Sequence, residues 1–185
     1  MNVYRVSYRY ANSLMQLAEE KKIYSKIAKD AELVYNALES SKELRAVLKS
    51  PVVKSSEKTK LISSIFSQKI ASETEKFLEF VVEKGREDIL FEIFKEFMNL
   101  RDKKEGIIRS NIVSAVELTD TVKKKITTKL ENQTKKTVES NYFVDEKIIG
   151  GFIAKVGDTV YDSSIKHQLS LLRKKFSEEI SISNN

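Results

Sequence analysis

One proline and five glycines in 185 residues give this chain few places to turn sharply. Proline ends helices, and glycine supplies the positive-φ turns that a many-stranded fold needs. Their scarcity therefore favours long uninterrupted helices over a turn-rich all-β architecture. Pro51, after Ser50, marks one obligatory break. Hydrophobic residues make up 41% and charged residues 32%, a globular balance, and the length suits one large domain or two small ones.

The residue grammar changes near Gly106. Val, Ile and Thr number 17 in residues 1–105 but 21 in the 55 residues from 107 to 161. β-branched side chains favour pleated strands, so the fold class expected is mainly α: an N-terminal six-helix bundle (1–105) followed by a smaller α+β C-terminal domain (106–185). Periodicity places helices at 3–20, 22–40, 42–49, 56–66, 71–83 and 87–104, with ends uncertain by ~2–4 residues. Ser55 or Ser56 can cap the fourth, and Gly85 stops the fifth. The second half opens with a strand at 107–116, and Thr119 caps a helix through Val122, Ile126 and Leu130. A strand at 136–144 then meets one at 148–156 across an Asp145-Glu146-Lys147 turn. The final helix, from about 163, carries Ile165, Leu169, Leu172 and Phe176 in one stripe, and is expected to cover the sheet.

Much chemistry is excluded. Cysteine is absent and His167 is the only histidine, which removes disulfides, thiolate sites and two-histidine zinc motifs. There is no phosphate loop and no G-x-G-x-x-G. Glu87-Asp88 and Asp158/Asp162 are carboxylates that capping and turns also employ. No active site, cofactor or metal is expected. No apolar run reaches the ~20 residues that cross a bilayer, and the first residues lack a signal or transit pattern. The net charge of +6 raises nucleic acid as a partner. The excess, however, is divided evenly between the halves, +3 each. The densest run, Lys123-Lys124-Lys125, Lys129, Lys135 and Lys136, reads as a solvated helix face. A basic helical nucleic-acid-binding protein is the alternative function.

The chain has surplus apolar helix surface instead. On the first helix Val3, Val6, Tyr10, Leu14 and Leu17 form one stripe, and Tyr4, Tyr8, Ala11, Met15 and Ala18 form a second beside it. Together they span about 200°, against the ~100° that one-sided packing requires. Either the helix lies centrally in the bundle, which is the plainer reading, or its second stripe is a docking groove for a partner helix. The sixth helix is similarly broad, and Phe77, Phe80 and Val81 add apolar bulk before it.

The stretch Asp145-Glu146-Lys147-Ile148-Ile149-Gly150-Gly151-Phe152, continuing through Lys155-Val156-Gly157-Asp158-Thr159-Val160-Tyr161-Asp162-Ser163-Ser164, resembles the C-terminal signature of the delta subunit of F-type ATP synthases, the oligomycin sensitivity-conferring protein family. Gly150 and Gly151 suit a bulge or close backbone approach, Gly157 a tight turn, and Ser163 or Ser164 an N-cap. Tyr10-Ala11-x-x-Leu14-Met15-x-Leu17-Ala18 resembles the family's opening helix, and Leu48-x-x-Pro51 followed by Lys58 or Lys60 and Leu61 its mid-bundle break. The likeness spans essentially the whole chain. Ser13, Met15, Glu146 and Ser163 depart from the usual residues.

The resemblance implies a non-catalytic stator subunit, one copy per complex, on the cytoplasmic face of the bacterial membrane without inserting into it. Its helical domain would grip an alpha subunit N-terminal helix on the catalytic head, and its C-terminal domain would contact the b-type peripheral stalk. Tyr4, Tyr8, Ala11 and Met15, with Phe77 and Val81, are then the expected alpha contacts. Asp145, Gly150, Gly151, Val156, Gly157, Asp158, Asp162 and Ser164 are expected to be mostly structural.

Overall fold

A computed structural model describes residues 3–183, with side chains described through Lys174. The chain is mainly helical with a small four-stranded sheet, and it divides between Lys104 and Glu105 into two compact units.

In the first unit α1 (Val3–Glu20), α2 (Tyr24–Ser40), α3 (Lys42–Lys49), α4 (Ser55–Phe66), α5 (Ser72–Glu83) and α6 (Leu90–Glu105) pack their apolar faces together, with a 3-10 turn at Glu87–Ile89 where the sixth helix was expected to begin. Leu14, Ile27, Val34, Leu38, Leu78, Val81, Ile93, Phe94 and Phe97 are fully buried in one cluster. The helix ends follow local chemistry. Ser41 caps α3 by accepting the Leu44 N–H at 3.1 Å. Gly85, at φ +61, closes α5: its N–H reaches Val82 O, and the Arg86 N–H reaches Val81 O. Those two bonds make a Schellman motif, which glycine adopts at little cost. Lys22, at φ +57, ends α1 in the same way, so α2 starts at Tyr24 rather than 22. Ser55 begins α4 but does not cap it, since the N-cap position belongs to Lys54.

Two buried polar ties fasten the helices. Asp30 of α2 accepts the Ala71 N–H and the Thr74 hydroxyl, both at 2.8 Å. Lys58 of α4 meets Glu87 of the 3-10 turn at 2.8 Å, with both side chains at least nine-tenths buried.

The second unit contains β1 (Ile107–Ser114), α7 (Asp120–Thr134), β2 (Thr137–Val144), β3 (Phe152–Val156), β4 (Thr159–Asp162) and α8 (Ile165–Ser183). The strand order is β2-β1-β3-β4. The expected pairing of the second and third strands is overturned: β2 lies parallel to β1, and β3 pairs antiparallel with the other side of β1. α7 is the cause, because a helical crossover returns the chain parallel to the strand it left. Residues 148–151, expected as strand, form the connection instead, and the unforeseen β4 makes a hairpin with β3 across Gly157-Asp158. Ile126 and Leu130 of α7 bury against Ile112, Val138, Ala154 and Val156.

Over the residues whose side chains are described, through Lys174, α8 does not cover the sheet. Ile165, Leu169 and Leu172 remain 44–59% exposed, and the Phe176 side chain lies outside the described residues. A stripe of apolar residues fixes which face of a helix is apolar but not what it meets.

Candidate functional site: a groove between α1 and α5

A cleft of about 620 Å³ opens between α1 and α5. One wall comes from Arg9, Tyr10, Ser13, Leu17 and Lys21, and the other from Glu73, Lys76, Phe77, Phe80 and Lys84. The two helices run antiparallel along it. At one end the Tyr10 and Phe80 rings sit 6.2 Å apart between centroids, and at the other Lys21 meets Glu73 at 3.4 Å. The floor is apolar: Phe77 is buried, Tyr10 and Leu17 are half-buried, and Phe80 is 44% exposed. The rim is mostly cationic.

Asp30 positions this wall. α5 has no side-chain cap of its own, and the α2 carboxylate supplies one from outside, holding the end that carries Glu73. Glu73 itself is held below the ordinary carboxylate range, first by a backbone N–H in the first turn of α5, then by Ser72 and Lys21.

The structure divides the six residues expected to dock a partner. Ala11, Met15 and Val81 are core residues, buried in the helical cluster, and do not form an exposed stripe. Tyr4 and Tyr8 are exposed, with ring centroids 6.2 Å apart, but they stand on a different face of α1 from the groove. Phe77 alone of the six lines the cleft. The groove therefore lies on the opposite edge of the apolar arc, where Tyr10 and Leu17 adjoin the polar Arg9 and Ser13. In the sequence that edge is marked by the border between apolar and polar residues on the helix.

The signature residues of the second unit build its connections. Asp145 receives the Lys147 N–H at 3.0 Å. Gly151 adopts φ +82, and a Cβ there would meet Ser163 O at 2.3 Å. A Cβ on Gly150 would meet only the Ile165 side chain. Gly157 turns β3 into β4 at φ +58 with Asp158 beside it. Val156 is buried in the sheet core. Asp162 accepts the Ser164 N–H at 2.8 Å, and Ser164 Oγ accepts the His167 N–H, capping α8. Of the lysine run, Lys123 lies over the Tyr142 ring and near Asp120. Lys124, Lys125 and Lys129 face a shallow open surface. Among the described residues no group of three or more acidic or histidine side chains is arranged to hold a metal.

The family model described as ATP synthase delta (OSCP) subunit matches residues 6–176. The chain belongs to this family. It is 37% identical to ATP synthase subunit delta of Chlorobium phaeovibrioides over 169 residues, 91% of this chain and 93% of that relative. It is likewise 37% identical to that of Pelodictyon phaeoclathratiforme over 174 residues, 94% and 98% of the two chains. A chain of the Toxoplasma gondii mitochondrial ATP synthase hexamer shares the fold, with a TM-score of 0.71 at 23% identity over 92% of this chain and 96% of that one. As a delta/OSCP subunit the protein is part of an ATP synthase complex. No described helix is long and apolar enough to cross a membrane.

Proposed function

We propose that this delta/OSCP subunit is the stator link of an F-type ATP synthase. The α1/α5 groove receives an N-terminal helix of an alpha subunit on the catalytic head, and the second unit engages the end of the b-type peripheral stalk. One copy at the cytoplasmic face of the membrane holds the alpha–beta hexamer still while the rotor turns, so that torque drives ATP synthesis. The subunit contributes contacts and no chemistry of its own.

The observation that carries this reading is the open groove with its apolar floor of Tyr10, Leu17, Phe77 and Phe80. A floor of that kind between two helices suits a third amphipathic helix. The exposed Ile165, Leu169 and Leu172 stripe of α8 offers the second unit a comparable apolar contact for a stalk helix.

Native mass spectrometry of the full chain with the alpha–beta hexamer of its source organism tests the proposal. The expected result is one copy per hexamer, lost when the alpha N-terminal segment is removed. No binding, or binding indifferent to that segment, overturns the assignment of the groove.

A further inference from the structure

The charges along the groove are unevenly placed. Its lining contributes four cations, Arg9, Lys21, Lys76 and Lys84, and one carboxylate, Glu73. Glu73 is already engaged by Lys21. The uncompensated charge therefore belongs to Arg9, Lys76 and Lys84, and among the described residues none of these three forms an ion pair. Lys84 sits 5.3 Å from the centre of the Phe80 ring, which also faces Tyr10, the neighbour of Arg9. Two cations thus flank the Tyr10–Phe80 end, Lys76 adds a third along the α5 rim, and the Lys21–Glu73 end is neutral.

Resting on the reading of this groove as the seat of a partner helix, we infer that it selects an amphipathic helix with acidic flanks, whose carboxylates lie toward the Tyr10–Phe80 end. An apolar floor alone accepts any amphipathic helix of suitable width. A cationic rim discriminates, because a helix with basic flanks meets like charge while one with acidic flanks is attracted. The polarity of the rim also sets direction. The acidic half of the occupant lies over Phe80, and its uncharged half over the Lys21–Glu73 pair.

The test titrates the full chain with a synthetic peptide of the source organism's alpha-subunit N-terminal segment. A second peptide carries Asn and Gln in place of its Asp and Glu. The protein variant is Arg9→Gln/Lys76→Gln/Lys84→Gln, with folding checked by circular dichroism. Affinity for the native peptide should fall about tenfold with either neutralisation, as three exposed charge pairs imply. The two losses should not add, because both remove the same pairs. The native affinity should also fall between ~0.05 and ~0.5 M salt, a change that shortens the screening length about threefold. Binding that ignores salt and both neutralisations overturns the acidic-helix inference and leaves the stator reading standing. So does a bound segment without acidic residues. A segment that fails to bind the unmodified chain overturns both.

Discussion

Asp30 of α2 and Thr74 of α5 are joined through the carboxylate oxygen Oδ2, which takes the threonine hydroxyl and the Ala71 N–H at 2.8 Å each. The N-cap residue of α5, Ala71, and the first-turn Thr74 hydroxyl thus share one acceptor supplied by a different helix. Asp30 is 6% exposed, where charged hydrogen bonds are strong and orphaned donors costly.

Asp30→Ala should therefore destabilise the first unit by about 3 kcal/mol, the cost of two buried donors left without an acceptor. Asp30→Asn, which keeps an acceptor oxygen, should lose less than half of that. Urea denaturation followed by circular dichroism measures both. Because α5 forms one wall of the groove, hydrogen exchange should also rise first at residues 71–75 in the alanine variant.

Lys58 and Glu87 make the second buried tie, and Glu87 Oε2 has no further hydrogen-bond partner. Lys58→Met strands a buried carboxylate and should cost ~3–5 kcal/mol. Combining it with Glu87→Leu removes the stranded charge and should recover most of the loss, again read from urea midpoints. Equal instability of the single and double variants would mean that packing, not charge, dominates this site.

Gly151→Ala should destabilise the second unit by about 3 kcal/mol or more, combining a positive φ with a clash against backbone. Its added Cβ would lie 2.3 Å from Ser163 O. Gly150→Ala meets a side chain that is 44% exposed and can turn aside, so its cost should stay under ~1.5 kcal/mol. Hydrogen exchange across residues 107–162 separates the two glycines.

Asp162 is held below the ordinary aspartate range by hydrogen bonds from the Ser164 side chain and backbone, with a smaller contribution from His167. A carboxylate whose folded value is depressed adds stability above its unfolded value and loses it as pH falls through the folded one. The cap on α8 should therefore weaken below about pH 4, with faster amide exchange at residues 164–168. In Asp162→Asn that acid sensitivity should disappear.

Much of the helical architecture is legible in the residues alone. Pro51 and Gly85 place breaks that the structure keeps, and Val6 and Leu14 of the first apolar stripe of α1 are buried. The groove was less legible. α1 has an apolar arc wide enough for two neighbours, and the arc does not say which part faces α5 and which the interior. Ala11 and Met15 went inward, while Tyr10 and Leu17, on the far edge, became the floor. Phe77, which stands out in the sequence by its bulk, lines the groove; Arg9 and Lys84 line it too, but single exposed cations carry no pattern.

What the sequence by itself determined is local and periodic: helices before strands, the composition change near Gly106, the glycine-rich turns, and the motif that marks a delta/OSCP subunit. Each depends on spacing within a few residues. Tertiary structure alone decided the partners: β2 beside β1 rather than β3, Asp30 capping α5, Lys58 closing on Glu87, and the apolar stripe of α8 left open. Periodicity states which face of an element is apolar. What meets that face depends on contacts between residues far apart in the chain, and on the geometry of the connections between them.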